Sequence, residues 1–114
     1  MINENSPIYQ VATQSEYIRA ISLEGDNLIL HTNQTFDGYD LVDLVLAQDD
    51  DGFILTELGE YVEEFDLDQI KTSIKNSPYL SFDGECIYCF ADEDKLLERI
   101  NDFMALLAAL KSEE

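Results

Sequence analysis

Between Arg19 and Lys71 the chain holds fourteen carboxylates and no lysine or arginine. They are Glu24, Asp26, Asp37, Asp40, Asp43, Asp49, Asp50, Asp51, Glu57, Glu60, Glu63, Glu64, Asp66 and Asp68. Like charges this dense repel one another in a compact state. Every element built from the stretch must therefore turn its acids to water and its apolar residues inward. The apolar residues are interleaved with the acids, as a core under a charged skin requires. The whole chain of 114 residues carries a formal charge of −19 and is 46% hydrophobic, with six Phe and six Tyr. That apolar share argues against disorder, and the length suits a single domain, residues 1–114, with an ordinary core.

The same totals exclude several function classes. No run of roughly 18 apolar residues is available to span a membrane. The opening MINENSPIYQ lacks the basic and apolar regions of a secretory signal. With two cysteines, this points to a reducing cytoplasm, that of a bacterial host. Anionic lipid and nucleic acid both repel so acidic a surface, so no membrane and no direct DNA or RNA partner is expected.

Periodicity gives the elements. From Asp92 to Lys111, Leu96, Leu97, Ile100, Phe103, Met104, Leu107 and Leu110 fall on one helical face, with Asp92 placed to cap the start. Asp83-Gly84 between Tyr79–Phe82 and Glu85–Phe90 predicts a hairpin. A second hairpin is expected at Asp49-Asp50-Asp51-Gly52, joining a strand over 39–47 to one over 52–58. Leu28–Thr32 reads as a strand that follows a turn at 24–27. Gly59–Asn76 reads as a helix in two pieces, recapped by Asp68 and stopped by Ser77-Pro78. Over 7–22 the spacing of Tyr17, Ile18 and Ile21 favours a short helix, with a strand over 17–23 as the alternative. The order is (α)-β-β-β-α-β-β-α. It describes an α+β fold, a mainly antiparallel sheet of about five strands packed by two to three helices.

Asn27-Leu-Ile-Leu-His-Thr32 and Asp50-Asp-Gly-Phe-Ile-Leu-Thr-Glu-Leu-Gly59 resemble a prokaryotic family known as domain of unknown function 1828. The resemblance covers roughly residues 15–110. It implies a strand ending in Thr, a hairpin leading to an acidic turn, a helix, a second hairpin and a terminal helix. Glu57-Leu58 stands where the family tends to have two acids, and the Pro-Phe expected after Thr32 is absent. The resemblance implies a fold and no chemistry.

The motifs that suggest catalysis or metal fail on their own geometry. Cys86-Ile-Tyr-Cys89 has zinc-knuckle spacing, but residues three apart on a strand point to opposite faces. Placing Gly52 at the sixth position of a calcium loop puts Ala47 first and Leu58 twelfth, where carboxylates are needed. His31 is the only histidine, and no nucleophile motif surrounds it, so it reads as a sheet-surface residue. No catalytic residue, metal or cofactor is assigned, and the expectation is a protein that is not an enzyme.

What remains is the acidic array. Carboxylates on alternate strand residues lie roughly 6.6 Å apart, and i,i+4 helical ones about 6 Å, which approximates the spacing of nucleic-acid phosphates. Asp37, Asp40, Asp49, Asp50, Asp51, Glu57, Glu60, Glu63, Glu64, Asp66 and Asp68 are the candidate partner-binding residues. They suit a nucleic-acid mimic that blocks the basic groove of a DNA- or RNA-handling protein, such as a CRISPR effector or restriction enzyme. Phage-type anti-CRISPR and anti-restriction inhibitors share this size and charge by analogy. The alternatives are an adaptor or immunity-type module that binds through Tyr79, Phe82, Tyr88 and Phe90, its acidity incidental, and an enzyme accessory domain.

Overall fold

The computed structural model describes residues 5–35, 41–49, 52–57 and 65–112. Its elements run α1 (Pro7–Ala12), β1 (Ile18–Glu24), β2 (Asn27–Thr35), β3 (Leu41–Asp49), β4 (Gly52–Thr56), α2 (Leu67–Lys75), β5 (Ser81–Phe82), β6 (Ile87–Ala91) and α3 (Leu96–Ser112). The described strands form one antiparallel sheet in the order β1-β2-β3-β4-β6-β5. This is the α+β class expected, with six strands rather than five. Alternate residues make the inner face: Leu28 and Leu30 of β2, Val42, Leu44 and Leu46 of β3, Leu55 of β4, Ile87 and Cys89 of β6. They join one buried cluster with Ile8 of α1, Ile70 of α2 and Leu96, Ile100, Phe103, Leu107 and Leu110 of α3. No helix among the described residues is long and apolar enough to cross a membrane.

The extra strand corrects the reading of residues 7–22. The helix there is Pro7–Ala12, and the segment favoured as helical by Tyr17, Ile18 and Ile21 is β1. Its cause is the Gly25-Asp26 turn. Gly25 takes φ +61, Glu24 pairs with Asn27, and β1 folds back along β2 in continuous register from there to Ala20. A register shift between Ile18 and Ala20 marks a bulge, and Arg19 Nε donates to the Thr32 carbonyl there at 3.0 Å.

Three smaller differences are local. The Asp83-Gly84 hairpin closes through four residues rather than two, because Phe82 pairs with Ile87. Asp83 Oδ1 accepts the backbone N–H groups of Glu85 at 2.8 Å and Cys86 at 2.7 Å, and Gly84 takes φ +99. Helix α2 is capped by Asp66 rather than Asp68: Gln69 Oε1 accepts the Asp66 N–H at 3.4 Å, half of a capping box. Leu67, expected on the apolar stripe with Ile70 and Ile74, sits at the first helical position and is exposed, while Ile70 is buried. The piece expected over 59–64 lies outside the described residues. Helix α3 follows its sequence pattern, and Asp92 Oδ1 accepts the Lys95 N–H at 2.9 Å in the turn that leads into it.

Candidate functional site

The β1–β2–β3 register brings three polar side chains together on the outer face of the sheet, away from the helices. His31 is the direct cross-strand partner of Asp43, and Ser22, paired with Ile29, lies diagonally across from His31. The imidazole bridges the other two. His31 Nδ1 lies 2.8 Å from Asp43 Oδ1, and His31 Nε2 lies 2.8 Å from Ser22 Oγ. A carboxylate only accepts, so Nδ1 donates to Asp43; in the neutral tautomer that this bond selects, Nε2 accepts from the Ser22 hydroxyl. The side chains of His31 and Asp43 are 23% and 40% exposed, and Ser22 faces solvent. This is the order of bonds in a nucleophile–base–carboxylate relay. The reading of His31 as a sheet-surface histidine holds for its location and missed its two partners.

The candidate acidic residues separate into three groups. Asp37, Asp40, Asp50, Asp51, Glu60, Glu63 and Glu64 lie outside the described residues. Asp49 ends β3 opposite Gly52, while Asp66 and Asp68 face solvent at the start of α2. Glu57 contradicts its assignment to an outward surface. It is 1% exposed, and its Oε1 accepts the buried Ile87 N–H at 3.0 Å, while Thr56 Oγ1 donates to the Ile87 carbonyl at 2.9 Å. Two side chains thus complete the β4–β6 ladder where its backbone pairing ends at Thr56–Tyr88. Glu24 and Asp26, not among the candidates, are exposed at the β1–β2 turn. That turn belongs to one edge strand, whereas α2 packs by α3 and β5 near the opposite edge. The described carboxylates therefore cover both ends of the molecule rather than a single row.

Two of the cations stand together at the start of α3. Arg99 is 8% exposed; its Nη1 donates to Asp102 Oδ2 at 2.8 Å, and its guanidinium lies 3.5 Å from the Tyr79 ring centre. Lys95 pairs with Glu98 at 3.6 Å on the surface. Arg99 and Lys95 line a cleft of about 680 Å³ with Phe53, Tyr79, Phe90 and Asp92. Of the expected aromatic surface, Tyr79 and Phe90 are exposed, Phe82 packs on the core, and Tyr88 meets Phe90 edge-on at 5.9 Å.

The two cysteines are free thiols. Burial pushes Cys89 up to about 12, against a smaller opposing pull from Arg99. Burial also raises Cys86, reinforced by the carboxylates of Glu57, Asp83 and Glu85. Both are protonated at neutral pH, which makes them poor nucleophiles and poor metal ligands. Among the described residues no three His, Cys, Asp or Glu side chains converge on a point where a metal ion would sit.

The chain matches no protein-family model, no curated protein and no solved structure. The likeness to domain of unknown function 1828 rests on the two quoted segments alone.

Proposed function

We propose that the protein is a non-enzymatic acidic binding module that occupies the basic groove of a DNA- or RNA-handling protein and blocks it. The observation that carries this reading is the base-free run between Arg19 and Lys71 together with where its described acids point. Glu24, Asp26, Asp66 and Asp68 face water, Asp43 is partly exposed on the sheet, and only Glu57 turns in. Such a surface steers a cationic partner over long range and repels nucleic acid. A phage-type inhibitor of bacterial defence is the physiological setting that fits this size and charge.

The test is capture and competition. Proteins retained from a bacterial lysate on the immobilised chain at about 50 mM salt should be nucleic-acid-binding, should be displaced by duplex DNA, and should be released by about 200 mM salt. Lysine at Glu60, Glu63 and Glu64 should abolish the capture. Retention that persists at high salt and ignores competing DNA would refute the mimic.

That result is what the second reading predicts. Exposed Tyr79 and Phe90 on the rim of one cleft favour an adaptor whose partner inserts an apolar side chain there. Binding would then fall with F90A and stay nearly flat in salt.

A further inference from the structure

We infer that Ser22 is a nucleophile, activated by His31 and positioned through Asp43, which accepts acyl groups from small carboxylic esters. This sets aside the non-enzymatic part of the proposed function, while the binding role itself is neither required by it nor excluded by it. The warrant is the placement of one imidazole between a hydroxyl and a carboxylate, Nε2 2.8 Å from Ser22 Oγ and Nδ1 2.8 Å from Asp43 Oδ1. Each of the three groups stands on a different strand of one continuous sheet, so the backbone ladders fix the geometry. The nucleophile is also accessible, since Ser22 is exposed on the edge strand.

The step balances within the site. The Ser22 hydroxyl passes its proton to His31 Nε2 as Oγ attacks the ester carbonyl. The carbonyl–alkoxide bond then breaks, and the leaving oxygen departs with the bonding pair and takes the proton from the imidazolium. Water, deprotonated by His31 Nε2, then attacks the acyl carbon; the bond from that carbon to Ser22 Oγ breaks, Oγ takes the proton back from the imidazolium, and the carboxylic acid leaves. Asp43 remains a carboxylate throughout and stabilises the imidazolium, which makes it a positioning residue.

The experiment uses the full chain and a biotinylated fluorophosphonate, in which the Ser22 oxygen replaces fluoride at phosphorus. Peptide mapping should place the label on Ser22 in the folded protein and find it absent in urea, a comparison that requires no variant. S22A should remove the label. H31Q should slow labelling by at least about a hundredfold, and D43N by at least about tenfold, with melting temperatures near that of the wild type. p-Nitrophenyl acetate should give p-nitrophenolate release with the same ranking. No label on Ser22, equal labelling in urea, or wild-type rates in H31Q or D43N would overturn the inference and leave the three residues as a tie between strands.

Discussion

Glu57 offers the clearest contrast between a charge that serves the fold and one that serves the surface. Replacing it with alanine removes the acceptor that Oε1 provides to the Ile87 N–H at 3.0 Å, in a residue 1% exposed. A buried donor left unpaired costs about 1–3 kcal/mol, and bonds to charged groups lie toward the upper end. We expect E57A to lose about 2–3 kcal/mol, which corresponds to roughly 10 °C in melting temperature for a domain of this size. E57Q keeps an acceptor oxygen in place and should be less costly than E57A by about 1 kcal/mol or more. T56V removes the companion bond to the Ile87 carbonyl, 2.9 Å long, and should cost about 1 kcal/mol. Because both side chains grip the same residue, the double variant should depart from additivity by about 0.5–1 kcal/mol. Urea unfolding followed by circular dichroism, with the slope held common, measures all four quantities. If E57A lies within about 0.5 kcal/mol of wild type, it behaves as an exposed carboxylate does, and the burial argument is wrong.

The other structural assignments are open to equally direct checks. R99K should cost about 1–2 kcal/mol, because an ammonium keeps the charge but loses the planar stack on Tyr79 and the guanidinium geometry at Asp102; an unchanged unfolding curve would show that neither contact matters. Ellman's reagent should react slowly with Cys86 and reach Cys89 only on unfolding, and two rapid equivalents in the native protein would refute the protonated thiols. The Cys86 and Glu85 N–H groups hold the Asp83 carboxyl below its usual 3.8, so its charged form contributes stability above that pH, and the contribution fades as pH falls toward the lower folded value. The melting difference between wild type and D83N should therefore be constant near neutrality and shrink below about pH 4; a difference that grows on acidification would reverse the sign. Neutral salt should raise the melting temperature at pH 7, with most of the rise below about 0.3 M as the screening length contracts; a flat response would mean that the acids do not repel one another.

The legible and illegible parts of the fold divide by how local their causes are. Helix α3 shows in the sequence because its core residues repeat at helical spacing within one segment, although it begins at Leu96, one turn after the Asp92 expected to cap it. Strand β1 does not, because Tyr17, Ile18 and Ile21 have the spacing of a helical face, and only pairing with β2 overrides it. The Gly25-Asp26 turn was the available signal, since a two-residue hairpin demands a strand on each side. Ser22 and His31 become neighbours only once that register is fixed. Glu57 is the least legible residue. In sequence it is one acid among many, and what draws it inward is an unpaired backbone group thirty residues later.

The outer sheet face links the two functional proposals. Ser22 is exposed toward its β1 end and Phe90, 63% exposed, toward its β6 end, with Val45 and Thr56 buried between them. Among the described residues the inner face is packed by α1, α2 and α3, which leaves this outer face, the edges and the cleft beside α3 open to a partner. A partner seated across β1–β3 would shield Ser22, whereas one held by Asp66, Asp68 and the Tyr79–Phe90 rim would leave it open. Fluorophosphonate labelling of the complex therefore reports where the partner sits, provided Ser22 is labelled in the free chain. Protection of Ser22 would place the partner over β1, beside Glu24 and Asp26, and unchanged labelling would place it away from β1. The described acids are spread over both ends of the molecule, so a positional readout is what separates a directed acidic surface from net charge acting at a distance.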